Sequence, residues 1–302
     1  MTDTGMDRAD VEFDSHGTRC AAWLYRPAQA ADRPTPVVVL GHGLGAVRAM
    51  RLDAFAARFA AEGYLALAFD HRHFGDSDGT PRQLLDIARQ REDWTAAIAF
   101  ARTVPGADPD RVIAWGSSFG GGHVLATAAR DSRLAAAIAQ NPFTDGPASV
   151  LALGPVSAAK ATGRALRDVL GAMRGAAPLP IPLVGPPGST ALMTAPDAES
   201  GYLGLVPDGT DFTNAVAARI ALRIPFDRPG RNAAKISCPV LFSVCDNDSV
   251  APARSALRSA ARAPRGEVRR YPVGHFDVYT GDEFERVVRD QIAFLHHHVP
   301  VG

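Results

Sequence analysis

An α/β fold on a mostly parallel, eight-stranded sheet with helices on both faces is what the sequence predicts, and three observations carry that expectation. Short, wholly apolar runs alternate with amphipathic stretches of helical period through the first half of the chain and resume after residue 240, the pattern of a sheet buried on both sides. A Gly-x-Ser-x-Gly pentapeptide lies where one of those runs meets one of those helices. The length, 302 residues, accommodates one core and an insertion.

Taken in order, strands are expected at 11–13 and 18–25, an opening antiparallel pair, then at 37–40, 64–69, 112–115 and 134–139. Helices are expected between them at 50–62, 84–103 and 118–130. In the first helix Leu52, Phe55, Phe59 and Ala60 recur at three- and four-residue intervals and mark a core-facing stripe. The last part repeats the pattern: strand 240–244, helix 253–262, strand 267–271 and helix 282–298, which ends in His296-His297-His298 as solvated surface.

Residues 146–232 break the pattern. Ala, Gly and Pro dominate there, and the proline-rich stretch 176–188 sustains neither a helix nor a central strand. Flanking helices are expected at 156–173, with Leu166, Val169, Leu170 and Met173 along one side, and at 212–223. Residues 1–145 and 233–302 are therefore expected to form the core, and 146–232 a helical cap, or lid, inserted after the sixth core strand. Long segments inside compact domains are lids or disorder, and the apolar content here argues against disorder. Met173, Leu183, Met193, Tyr202 and Phe212 either line an apolar pocket beneath this cap or pack within it.

Lys plus Arg equals Asp plus Glu at 32 each with no block of like charge, so neither nucleic acid nor an anionic membrane is expected as a partner. Residues 1–10 are polar, and the longest apolar runs are far too short to span a bilayer, which makes a cytoplasmic protein the expectation. Cys20, Cys238 and Cys245 are an odd number without metal-like spacing, fitting a reducing compartment. Oligomeric state is left open, a homodimer fitting as well as a monomer.

The chemistry centres on Ser118, in Gly116-Ser117-Ser118-Phe119-Gly120, between a strand and a helix. Such an elbow projects a serine oxygen above a sheet edge, and Gly116 and Gly120 remove side chains that would collide in so tight a turn. A serine hydroxyl is a weak nucleophile at neutral pH, so it needs a base in reach and a third group to orient that base. His275 lies just beyond the last expected strand, and Asp246 and Asp248 just beyond the strand at 240–244. Spacing alone leaves the two carboxylates as alternatives. Acyl transfer also needs donors aimed at the developing oxyanion, each worth about 3–4 kcal/mol. The N–H of Phe119 and, from the loop Gly41-His42-Gly43-Leu44-Gly45, the N–H of Leu44 are the candidates, with Gly43 permitting close approach of the backbone.

Over nearly its whole length the chain resembles the α/β-hydrolase superfamily. The resemblance rests on His42-Gly43, the elbow at Ser118, the stretch from Asp248 to Pro252, Gly274-His275 and the chain order Ser, Asp, His. It implies an α/β-hydrolase fold with Asp248 as the acid, although Cys245 stands where the family motif usually has glycine. Asp70-His71-Arg72-His73-Phe74-Gly75-Asp76-Ser77 is similar to a further family segment in which His73 replaces a glycine. Bacterial dipeptidyl-peptidase-like hydrolases and polyketide-pathway acyltransferases are the nearest likenesses. The expectation is a serine esterase or thioesterase working through an acyl-enzyme on a small, apolar acyl substrate, with no cofactor and no metal. Acyl transfer to an alcohol or amine, or a non-catalytic ligand-binding role, are the alternatives. A metal site at Asp70, His71, His73 and Asp76 is disfavoured, because no second histidine cluster accompanies it.

Overall fold

A computed structural model describes residues 7–28 and 33–301. The chain runs β1 (Asp7–Ser15), β2 (Thr18–Arg26), β3 (Thr35–Gly41), α1 (Leu52–Ala61), β4 (Leu65–Phe69), α2 (Ile87–Ala101), β5 (Ala107–Ser117), α3 (Phe119–Ala128) and β6 (Leu134–Gln140). There follow α4 (Gly146–Leu153), α5 (Pro155–Ala172), β7 (Pro180–Ile181), α6 (Ala198–Leu203) and β8 (Val216–Ala217). The chain then returns through β9 (Val240–Cys245), α7 (Ala253–Ala260), β10 (Gly266–Tyr271) and α8 (Gly281–His298). The reading of residues 1–10 falls mostly outside the described residues.

Eight strands form one sheet in the order β1-β2-β4-β3-β5-β6-β9-β10. The pairs β1–β2 and β2–β4 are antiparallel and all the others parallel. Alternation along β3 feeds both faces. Val38 and Leu40 join Phe55 and Phe59 of α1 and Val287 and Val288 of α8, whereas Val37 and Val39 join Trp94 and Ile98 of α2 and Val124 of α3. The expected stripe Leu52, Phe55, Phe59 and Ala60 is buried throughout. Among the described residues, no helix is long and apolar enough to cross a membrane.

The segment between β6 and β9 differs from expectation in its helices, of which α4 and α6 were not expected. Residues 212–223 are not a helix: Val216–Ala217 is extended, pairing with Pro180–Ile181, and only 218–222 turns, as a short 3₁₀ segment. The reason is competition for backbone partners, since the Ala217 amide donates to Gln83 and the Asn214 side chain bonds both backbone groups of Val184. The helical period of α5 left open which of its sides faces the core. Its buried side is Ser157, Ala161, Ala165 and Asp168, while Leu166, Leu170 and Met173 are exposed. Small residues let α5 lie close to the 218–222 turn, and Asp168 anchors it, accepting from Arg219 Nε at 2.7 Å and from the amides of Leu179 and Arg219. Burial alone would raise the Asp168 carboxyl, but Arg219 and those amides hold it below the usual carboxylate range.

Candidate active site

Four segments converge at the C-terminal end of the parallel strands: the loop after β3, the turn after β5, and the loops after β9 and β10. At the second, Ser118 sits at φ 55°, ψ −118°, a region that non-glycine residues rarely adopt. The turn is closed by its own backbone, Ser118 donating to the Gln140 carbonyl and accepting from the amides of Gly122 and Phe143. Neighbouring glycines are obligatory here. A Cβ on Gly116 would stand 2.3 Å from the Gly120 carbonyl oxygen, and one on Gly120 would stand 2.5 Å from that of His42. Gly43 brings the first loop against the serine, its notional Cβ 3.4 Å from Ser118 Oγ.

Ser118 Oγ is 3.0 Å from His275 Nε2, and His275 Nδ1 is 2.7 Å from Asp248 Oδ2. The other Asp248 oxygen accepts from the amides of Val250 and Ala251, so both its oxygens are engaged and it can only accept from the imidazole. That places a proton on Nδ1 and leaves Nε2 open to the serine hydroxyl. Asp246, the alternative on spacing, turns outward to Arg270 at 2.8 Å. The structure thus brings Ser118, His275 and Asp248 into one hydrogen-bonded chain and leaves Asp246 outside it.

Leu44 and Phe119 flank Ser118 on the cleft wall, and within the described residues neither amide donates to a protein group. The Leu44 carbonyl accepts from Tyr202 Oη at 2.8 Å, so a residue of the inserted segment fixes this loop from above. From below it is fixed by His42, whose Nε2 donates to the Met50 carbonyl at 2.6 Å while Nδ1 accepts from the Gly43 amide at 2.7 Å. This arrangement requires the neutral ring, and burial lowers the His42 pKa to about 4. Because the folded value lies below the unfolded value of about 6.5, the contribution is complete above pH 6.5 and declines as pH falls toward 4. Between pH 7 and pH 5 the wild type is expected to lose about 2 kcal/mol through this group, a pH dependence absent from His42→Gln. Urea unfolding of both proteins at the two pH values measures that difference.

Beneath His275 lies a buried polar network that the sequence reading missed. Asn141 Nδ2 donates to the His275 carbonyl at 2.8 Å, and its Oδ1 accepts from Ser117 Oγ at 2.9 Å. Ser117 is also bonded to Tyr279 Oη and accepts from Gln140 Nε2. Burial pushes the Tyr279 phenol up, keeping it a neutral donor. The available signal was the polar pair Gln140-Asn141 closing an apolar strand, and a second serine inside the elbow.

Two hollows meet at Ser118. The larger, with an open volume of about 850 Å³, runs between the core and the inserted segment past Phe119, Phe143, Leu153, Ala158 and Ile224, and among the described residues no charged side chain lines it. The smaller, about 270 Å³, contains His275, Tyr202, Leu205 and Phe276. Met193 borders both. Of the other expected lining residues, Leu183 is fully buried in the core, Phe212 packs on the Tyr202 ring, and Met173 points to solvent.

The acidic and histidine residues near position 70 serve the scaffold. Asp70 and Asp76 both pair with Arg48, His71 contacts Asp93, and His73, at φ 73°, bonds the Pro81 carbonyl. His73 therefore holds the left-handed conformation that a glycine would adopt more easily. The three thiols are free and buried, with burial raising Cys20 to about 12 and Cys238 to about 11.

Comparison with known proteins places the chain in a family. The family described as Serine aminopeptidase, S33 matches residues 32–182. The chain is 57% identical over 292 residues to the quorum-quenching protein AidA of Acinetobacter baumannii, covering 97% of this chain and 95% of that one. It is 28% identical to polyketide transferase ATR5 of Stachybotrys chlorohalonatus, over 96% of this chain and 97% of the relative. Among solved structures, α/β hydrolase GrgF from Penicillium sp. superposes with a TM-score of 0.81 at 26% identity, over 97% of this chain and 99% of the other. With the eight-stranded sheet, the family match through the elbow and a relative of 57% identity along nearly all its length, the chain belongs to the α/β-hydrolase superfamily.

Proposed function

We propose that the protein is a serine hydrolase of carboxylic esters or thioesters, with Ser118 as nucleophile, His275 as general base and Asp248 as orienting acid. The observation that carries this reading is the unbroken chain from Ser118 Oγ through the imidazole to a doubly anchored carboxylate, at the mouth of an uncharged cleft. His275 takes the hydroxyl proton as Oγ bonds to the substrate carbonyl carbon. The amides of Leu44 and Phe119 receive the oxyanion, and His275 then protonates the departing oxygen or sulfur. Water, deprotonated by the same imidazole, releases the acid from the acyl-enzyme. Residues 146–232 act as the cap over this reaction, and the reduced, buried thiols fit a cytoplasmic setting.

The two hollows divide the substrate. His275 borders only the smaller, so the leaving group belongs there and the acyl chain in the larger apolar cleft. An aminopeptidase needs a carboxylate to hold the substrate ammonium, and among the described residues none lines either hollow, which favours neutral acyl substrates over peptides. The test is a panel of p-nitrophenyl esters, acyl thioesters and lactones of increasing acyl length, with fluorophosphonate labelling of Ser118. Lactones belong in it because they are cyclic esters that the same acyl-enzyme chemistry would open. Ala158→Phe, which narrows the larger hollow, should reduce kcat/KM for long acyl chains by about tenfold or more and leave acetyl esters within about threefold. Uniform loss across the series would contradict this placement of the chain. Acyl transfer is the second reading, favoured by the hollow beside His275, which offers space for an acceptor alcohol or amine. Added acceptors should then divert product from acid to ester or amide.

A further inference from the structure

Every large hydrophobic side chain exposed among the described residues lies in the inserted segment. On α5 Leu166 is 50% and Leu170 51% exposed, and Met173, which caps its C-terminus, is 79% exposed. At the lip of the larger hollow, Leu151 is 83% and Phe226 84% exposed, each next in sequence to residues that line it. These elements form one assembly, since α4 packs against both α5 and the turn at 224–226. Beside the apolar stripe, about a quarter to a third of a turn around the helix, run the exposed Lys160, Arg167 and Arg174, with Arg164 farther round, half-buried and donating to the Pro180 carbonyl. None of the four pairs with a carboxylate among the described residues. Residues 146–196 hold those four cations and a single acid, Asp168, which is buried on Arg219. The even charge of the whole chain averages out this local excess.

A solvent-facing helix with its large apolar and basic residues side by side, and only small residues and the paired Asp168 turned inward, has the composition of an interfacial helix. We propose that the outer face of α5 and the adjoining lip of the cleft dock on an anionic phospholipid surface. Lys160, Arg167 and Arg174 meet the headgroups, and Leu166, Leu170, Met173, Leu151 and Phe226 enter the acyl boundary. The larger hollow then opens toward the phase in which apolar acyl compounds accumulate. A second copy of this chain is the poorer occupant, because a two-fold contact through this face sets its unpaired cations against one another. The inference is independent of the chemistry at Ser118, for its test reads binding alone.

The experiment is sedimentation of the whole protein with vesicles of phosphatidylcholine, with and without phosphatidylglycerol. Wild type is expected to bind the anionic vesicles about tenfold or more tightly than the neutral ones, and to be released by salt. Lys160→Gln with Arg167→Gln should weaken anionic binding by about tenfold or more, and Leu166→Ser with Leu170→Ser and Met173→Ser should abolish it. All five positions are exposed and none lines either hollow, so turnover of a soluble short-chain ester should stay unchanged. Absence of binding, equal binding to both vesicle types, or binding indifferent to these substitutions overturns the proposal. So does a dimer in solution that the serine variant dissociates.

Discussion

Ser118→Ala should lower turnover of the best ester substrate by about 10⁴-fold or more and eliminate fluorophosphonate labelling, with the urea midpoint essentially unchanged. Only the hydroxyl is removed, because the strained turn at φ 55° is held by backbone bonds to Gln140, Gly122 and Phe143 that alanine retains. His275→Ala should cost a similar factor. The double variant should be little worse than either single one, because a nucleophile without its base and a base without its nucleophile are both idle. Asp248→Asn should fall in the same range: an amide accepting from Val250 and Ala251 presents its NH₂ to Nδ1 and favours the wrong tautomer. Asp246→Asn is the internal control. Its partner is Arg270 on the surface, so its activity should stay within about threefold of wild type. Steady-state kinetics on this set decide the assignment, and near-normal rates in His275→Ala would end it.

The second large effect is steric. Gly120→Ala places a methyl group 2.5 Å from the His42 carbonyl oxygen and 2.6 Å from that of Gly41, both backbone atoms at the end of a central strand that cannot retreat. We expect about 3 kcal/mol or more of destabilisation, together with loss of activity as the loop bearing Leu44 is pushed away from Ser118. Gly163→Ala provides the contrast. That glycine lies within α5 with open space around its notional Cβ, so alanine should stabilise by about 0.5–1 kcal/mol. Denaturant unfolding of the two variants should therefore shift in opposite directions, and a tolerated Gly120→Ala would show that the elbow has room the structure denies it.

Both effects depend on residues that were legible before any coordinates. Gly116, Ser118 and Gly120 stand in a contiguous pentapeptide between an apolar run and a helix, and a turn that tight admits few sequences. The alternation of Val37, Val38, Val39 and Leu40 between two cores, and the stripe of α1, were legible for the same reason: side-chain direction within one element follows from its own period. What spacing left open was every question of direction between elements. Asp246 and Asp248 are two residues apart on one loop, and Arg270, from the neighbouring strand, draws the first outward while His275 meets the second.

The sequence by itself determined the α/β grammar, the sharp turn bearing Ser118 and the loops from which His275 and its carboxylate come, because each is encoded within a few consecutive residues. Only the tertiary structure decided which carboxylate turns inward, that residues 212–217 are not helical, and that Ser117, Asn141 and Tyr279 brace the histidine from below. It also decided that the apolar stripe of α5 faces outward. A helical period reveals that such a stripe exists, but which side is buried depends on what packs there, and here Asp168 with Arg219 and a row of small residues took the inner side.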